Sequence, residues 1–381
     1  MKKQVKSKQP AIPHIRAVGI VGAGLMGAGI AAANIRNHYH VWVHDANPRM
    51  LESLRDRVRK ELDDEDESTV EFLLQFLHPC SLEQLASCDL VMEVIPEVWE
   101  AKRDLYTALN AVLAEPSLVV SNTSTIPIER LSQWVAEPRY FAGLHFLHPV
   151  RFRELVEVIP STRTCEQVIQ RLCDYVLALE KTPLCVGDCP GFVVNRLLQP
   201  YLNEGMLMLQ EGVSMELLEK SATTFGMAWG PLRVMDEIGL DVVLHSGRVL
   251  YEAYPDRVRP SPILISMVKK KLLGRKVGKG FYDWGADWEA HQSDHTFQPC
   301  GFCETTRKIV EQWRNETLIR YTGKEISARL ATAMAMEGGR IIMDDVVSDQ
   351  GQIDMAAVIG LGFPEAKRGP LAWFAREVHL G

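Results

Sequence analysis

No run of about 18 uninterrupted apolar residues, the minimum for a bilayer-spanning helix, occurs in this sequence. Cysteine is scarce: eight in 381 residues is too few for a disulfide scaffold and fits a reducing compartment. An excess of positive charge is also missing. Lys and Arg total 42 against 49 Asp and Glu, net -7, so the basic face that nucleic acid requires is not expected. The start, "MKKQVKSKQPAIPHI", is basic but no apolar h-region follows, so it reads as a polar leader and a cytoplasmic location is expected. What is present is a globular composition, 46% hydrophobic and 24% charged, in a chain long enough for two or three domains.

The first defined element is "AVGIVGAG" (17–24), a short apolar strand running into glycines. A helix is expected from Leu25 to Asn37, and "HVWVHD" (40–45) reads as the next strand, completing a β-α-β unit. Further strands are expected at 88–95, 117–124, 140–147 and 155–161, the last two close enough to pair antiparallel at the end of a mostly parallel sheet. After "PLCVGDCPGF" the pattern becomes helical. The expected organisation is an α/β Rossmann-like domain over 13–186, a helical domain over 187–284, a polar linker over 285–323 and a second, related all-α domain over 324–381. The relation is visible in the sequence. "NRLLQPYLNEGMLMLQEGV" (195–213) matches "ARLATAMAMEGGRIIMDDV" (328–346) in its Arg-Leu start and in a Glu eight residues after the Arg. "GMAWGPL" (226–232) likewise answers "GFPEAKRGPL" (362–371). Two such copies are expected to pack on each other, since neither buries a large core alone.

"GAGLMG" places Gly22, Gly24 and Gly27 in G-x-G-x-x-G spacing around Met26, after a strand and at the start of a helix. Asp45 ends the next strand about 20 residues on, the context in which this spacing signals a dinucleotide site. Gly22 permits the tight turn, Gly24 lets the backbone approach a pyrophosphate, and Gly27 lets helix and strand pack closely. Asp45 accepts from ribose hydroxyls and repels a 2'-phosphate, so NAD is expected rather than NADP.

"GLHFLHPV" (143–150) sets His145 and His148 in an apolar, strand-like stretch. If 142–147 and 155–159 form a hairpin around residue 151, paired positions sum to about 302 and His145 faces Glu157. The carboxylate then fixes the imidazole tautomer and strengthens it as a proton acceptor. A purely structural His-Glu pair is the competing reading. Joint metal ligation by the two histidines lacks a third ligand at suitable spacing.

Taken with "SNTSTIPI", "GLHFLHPVRFRELVEVI", "KTPLCVGDCPGFVVNRLLQPYLNE" and "GRKVGKGFYDW", these motifs resemble the L-3-hydroxyacyl-CoA dehydrogenase family. The likeness is to the dehydrogenase half of the bacterial multifunctional fatty-acid β-oxidation α-subunit, without its hydratase half, and runs from about residue 14 to the end. It implies NAD-dependent oxidation of an L-3-hydroxyacyl-CoA. His145 matches the family's base and Glu157 its partner, while Ser124 and Asn195 match groups that hold the substrate's 3-oxygen. Glu97, Lys102 and Lys276 fall where the family contacts NAD, and His148 stands beside the cofactor where the family carries Asn. Read without the family, Ser124 is a turn residue, Asn195 a helix cap and the charged three a solvated surface.

His148 is bulkier than an amide, and Ile359 stands where multifunctional relatives carry Tyr, so acyl or CoA preference is not carried over. Arg55, Arg57, Arg59 and Lys60, or Lys269 to Lys271, are candidate cations for CoA phosphates. Two rivals stay open: a dehydrogenase of a free hydroxy acid, and an NAD-binding scaffold subunit that docks to a thiolase. A homodimer is expected, with no membrane partner. "HQSDHTFQPCGFC" spaces His291, His295, Cys300 and Cys303 as a zinc site would, but the segment lies in a linker and no metal is expected.

Overall fold

The computed structural model describes residues 14–113, 117–289, 291 and 297–380. It divides between Asp188 and Cys189 into two compact units. No helix among the described residues is long and apolar enough to cross a membrane.

The first unit is an eight-stranded sheet: β1 (Ala17–Val21), β2 (His40–His44), β3 (Leu77–Pro79), β4 (Leu90–Glu93), β5 (Leu118–Ser121), β6 (Phe141–Phe146), β7 (Leu155–Pro160) and β8 (Thr182–Cys185). The spatial order is β3-β2-β1-β4-β5-β6-β7-β8, all parallel except the β6–β7 hairpin. Every residue of β4, β5 and β6 is buried, as strands covered on both faces require, and their few polar residues, Glu93, Ser121 and His145, lie at or next to the carboxyl ends. The order reverses between β1 and β4, where a doubly wound sheet opens its ligand crevice at the carboxyl ends of the strands. Two strands, β3 and β8, were not expected. Each is three or four residues long and contains a proline, Pro79 or Pro183, a residue excluded from central strands but tolerated at an edge. In the hairpin Leu144 pairs with Val158, His145 with Glu157 and Phe146 with Val156, the register the sequence implied.

The second unit is mainly helical. Its longest helices, Val194–Gln210 and Gly323–Met343, belong to the two copies. Arg196 pairs with Glu337 and Arg329 with Glu204, so these helices run antiparallel and each copy's arginine meets the other's glutamate. The second motif is duplicated as well. Pro231 and Pro370 open helices whose first free N–H groups bond to acids from preceding helices: Leu232 to Glu219 at 2.8 Å and Leu371 to Asp354 at 2.8 Å. The expected linker at 285–323 is not featureless. Gly301–Phe302 pairs with Tyr282–Asp283, and helix Glu304–Gln312 turns Thr306, Ile309 and Val310 inward. So few apolar positions among charges left no readable period in the sequence.

Candidate active site

The glycine turn after β1 has a distinct steric reason at each position. Gly22 sits at φ +113°, and a Cβ there would lie 2.6 Å from the Val94 carbonyl oxygen. A Cβ on Gly27 would lie 1.9 Å from the Gly22 oxygen, so only hydrogen fits between helix and turn. Gly24, by contrast, faces open space. It caps helix Leu25–Arg36 without a side-chain hydrogen bond, so the first turn presents its N–H groups to an anion, with half-buried Met26 beside them. Asp45, just past β2, accepts from Ala23 N through Oδ2 and from Asn47 N through Oδ1, both at 2.8 Å. These residues fit a dinucleotide: room for a pyrophosphate, a free helix start and a fixed carboxylate.

Beside this turn lies a buried polar network that the sequence reading only touched. Glu93, fully buried at the end of β4, accepts from Lys102 Nζ at 2.6 Å, Ser121 Oγ at 2.6 Å, Ile95 N at 2.9 Å and Tyr106 Oη at 3.0 Å. Lys102, only 1% exposed, also lies 3.3 Å from Glu97. Glu97 accepts in turn from Thr123 Oγ1 at 2.7 Å, Ser124 N at 2.7 Å and Ser124 Oγ at 3.2 Å. Burial alone would raise the Glu97 carboxyl, but Lys102 and these donors hold it below the ordinary value. The network brings Ser124, Glu97 and Lys102 together, with Lys102 turned inward behind Glu97. Glu93, Ser121, Thr123 and Tyr106 were missed. The available signal was a lone carboxylate inside "DLVMEVI", where an unpaired charge would be costly.

His145 and Glu157 occupy adjacent strands at the carboxyl end of β6, with Nδ1 2.7 Å from Oε2. The imidazole is 6% exposed and the carboxylate fully buried. Because the carboxylate accepts, Nδ1 carries the hydrogen and Nε2 keeps its lone pair, the tautomer a base requires. Asn122, between β5 and Ser124, accepts from Phe146 N at 2.8 Å, tying the serine loop to the histidine strand. The half-buried His148 lies in the hairpin turn that follows. That turn is held from below by buried Lys181, whose Nζ donates to the Val150 oxygen at 2.7 Å and the Arg153 oxygen at 2.9 Å. Burial lowers the Lys181 pKa, and the two carbonyls satisfy its ammonium group.

Asn195 and Lys276 belong to the second unit. Asn195 is half-buried in the first turn of helix Val194–Gln210, and exposed Lys276 pairs with Asp241. Ile359 is half-buried in the turn Ala356–Gly360. The cation run expected for CoA phosphates is largely self-neutralised: Arg55 and Arg59 pair with Glu71, Arg59 also with Glu67, and Arg57 turns to Ser53 and Met50. Of the zinc-spaced residues, His295 lies outside those described. His291 stacks on Phe297, Cys300 is exposed and Cys303 is buried; among the described residues no group of three or more His, Cys, Asp or Glu is placed to hold a metal ion.

Comparison with known proteins identifies the family. The profile of the 3-hydroxyacyl-CoA dehydrogenase NAD binding domain matches residues 17–189, and that of the 3-hydroxyacyl-CoA dehydrogenase C-terminal domain matches 191–284. A fatty acid oxidation complex subunit alpha from Acinetobacter baumannii is 32% identical over 292 residues, covering 76% of this chain and 40% of the relative. The chain thus spans about two-fifths of that curated protein's length. Among solved structures, 3-hydroxybutyryl-CoA dehydrogenase from Escherichia coli K12 is 26% identical with TM-score 0.79, covering 95% of this chain and 92% of that one. (S)-3-hydroxybutyryl-CoA dehydrogenase from Ralstonia eutropha is 33% identical with TM-score 0.67, covering 71% of this chain and all of the other. The sheet unit matches the NAD binding domain of these dehydrogenases and the helical unit after it their C-terminal domain, and the chain belongs to the 3-hydroxyacyl-CoA dehydrogenase family.

Proposed function

We propose that the chain interconverts L-3-hydroxyacyl-CoA and 3-ketoacyl-CoA, with His145 as the base that removes the 3-hydroxyl proton. The observation that carries this reading is the 2.7 Å contact between His145 Nδ1 and Glu157 Oε2. It fixes the ring so that Nε2 is the nitrogen that takes the alcohol proton, while Glu157 stabilises the imidazolium that proton capture creates. NAD, when bound, accepts the hydride from C3. Ser124 orients the substrate oxygen, and Glu97 holds Ser124 through backbone and side chain. Lys102 serves the cofactor side indirectly, as the buried cation that fixes Glu97. Asp45 accepts from Ala23 and Asn47 with two of a carboxylate's roughly four acceptor sites, which leaves capacity for adenosine ribose hydroxyls. Asn195 and Lys276 are assigned substrate and cofactor contacts on the family resemblance alone.

Acyl-CoA as substrate, a homodimer, a thiolase partner and a cytoplasmic location belong to the same proposal; sizing, co-purification and cell fractionation address the last three. The decisive experiment follows NADH oxidation with ketoacyl-CoA esters of increasing length, beside free acetoacetate. His145→Gln is expected to lose at least about 100-fold in kcat, the usual span of general-base catalysis. A His145→Gln enzyme that keeps most of its rate overturns the mechanism, and equal turnover of free acetoacetate overturns the CoA reading. The second reading, a subunit that binds NAD without turnover, is favoured by His148 standing where relatives carry Asn. His148→Asn distinguishes the two: a large gain from near zero supports the silent subunit, and retained or modestly improved turnover supports the enzyme.

A further inference from the structure

Two cysteines that take no part in this chemistry face each other at the sheet edge. Cys173 lies on helix Glu166–Ala178 and Cys185 ends β8, with their Sγ atoms 3.3 Å apart. Both are free thiols; Cys185 is exposed and Cys173 half-buried. A disulfide requires about 2.05 Å between sulfurs, so closure calls for roughly 1.3 Å of approach. Among the described residues β8 is an edge strand with no strand paired on its outer side, which leaves it room to yield.

We propose that Cys173 and Cys185 form a dithiol modification site at which hydroperoxides or low-molecular-weight disulfides produce an intramolecular disulfide. Exposure assigns each thiol a part. Cys185, the exposed one, meets the oxidant first as the attacking thiolate, its pKa brought down to about 7 by the hydrogen bond with Cys173, whereas half-buried Cys173, raised by that contact and by burial, is the resolving thiol. With a hydroperoxide, the Cys185 thiolate attacks the outer peroxide oxygen, the O–O bond breaks, and the leaving oxygen takes a proton to give an alcohol. Cys173 then attacks the sulfenic sulfur; the S–S bond forms, the S–O bond breaks and water departs. Two thiols and one hydroperoxide give one disulfide, one alcohol and one water. With a low-molecular-weight disulfide, Cys185 forms a mixed disulfide and releases one thiol, and Cys173 displaces the second.

Other cysteines are placed differently. Burial pushes the thiols of Cys80 and Cys88 up to about 11 and about 12, and Cys303 is buried. Exposed Cys300 is the internal control. The bond would tie the helix to the strand beside Glu157: β8 pairs with β7 from Thr182 opposite Leu155 to Cys185 opposite Val158, with Leu184 opposite Glu157.

The test is independent of the dehydrogenase reading. The reduced full chain is incubated with glutathione disulfide, blocked with N-ethylmaleimide and digested with trypsin, which separates Cys173 in 172–181 from Cys185 and Cys189 in 182–196. The expected product is these two peptides joined with loss of two hydrogens, fragment ions placing the bond at Cys185, and reversal by dithiothreitol. Cys173→Ser is expected to accumulate a lasting glutathione adduct on Cys185, and Cys173→Ala, which removes the hydrogen-bond donor, to shift the half-maximal pH of Cys185 alkylation upward. Cys185→Ser should slow oxidation of Cys173 at least ten-fold. Glutathione mainly on Cys300 with Cys173 and Cys185 both alkylated, or an adduct on Cys185 that persists in the unmodified chain, overturns the proposal. The map of the unmodified chain decides alone if a serine variant fails to fold.

Discussion

The two helical copies repeat one arrangement and bury it unequally. In the first, Arg196 donates to Glu337 and Asp344 at 2.7 Å, with Arg196 and Glu337 side chains 1% and 4% exposed and Tyr254 beneath the guanidinium. In the second, Arg329 pairs with Glu204 and Glu211 over Tyr321, but Arg329 and Glu204 are 27% and 24% exposed. Same motif, same partner types, opposite ends of an antiparallel helix pair: the sequence pattern sets who meets whom, while the surroundings set how much the meeting matters.

Breaking the buried side should have the largest effect. Arg196→Met leaves the buried Glu337 carboxylate with weaker partners and is expected to cost about 3–5 kcal/mol by urea unfolding, whereas Arg329→Met costs about 1 kcal/mol or less. Equal losses for the two would collapse the distinction. Changing Arg196 and Glu337 together to Met should recover much of the larger loss, since replacing a buried ion pair whole is far milder than leaving half of it.

A smaller effect is expected at the shared helix start. Asp354 receives Leu371 N at 2.8 Å and Ala372 N at 3.1 Å, so Asp354→Ala should cost about 1–2 kcal/mol, the range for lost helix caps. Thermal unfolding of that variant beside the parent measures it.

The mildest probe is acid. Burial would raise Glu211, but hydrogen bonds from Arg329 and Tyr321 hold it below the ordinary carboxylate value; hydrogen bonds from Arg257 and Arg196 do the same for Asp344. A folded pKa below the unfolded one contributes stability that is complete above the unfolded value of about 4 and disappears as pH falls through the folded one. Stability is therefore expected to decline on acidification below about pH 4. In Arg329→Met the Glu211 share of that decline should vanish while the Asp344 share stays, which titrated urea midpoints would reveal.

Much of this was legible beforehand, for reasons that differ by residue. The glycine turn and Asp45 are local, fixed by chain geometry within one β-α-β unit, and the His145–Glu157 register followed from a hairpin in which pairing is arithmetic. The Arg196–Glu204 and Arg329–Glu337 spacings were visible too, yet the exchange of partners between copies depends on antiparallel packing across 141 residues, which no local pattern carries. β3 and β8 escaped because proline masks an edge strand as a turn. Glu93 escaped because its four donors come from β5, from helix Trp99–Val112 and from the chain just past β4. The arginines offered as cations for CoA show the opposite case: a run of arginines is conspicuous in sequence, and the glutamate that pairs with Arg55 and Arg59 sits a helix away.

The vacant room over Gly24 has a practical corollary. Beyond its chain neighbours, a methyl group set there would meet nothing within 4 Å among the described residues, so alanine at that position would cost folding only the roughly 1 kcal/mol of a poorer helix N-cap and would intrude chiefly on a docking anion. That separates recognition of the dinucleotide from construction of its cradle, a separation that Gly22 and Gly27, wedged against backbone, do not allow.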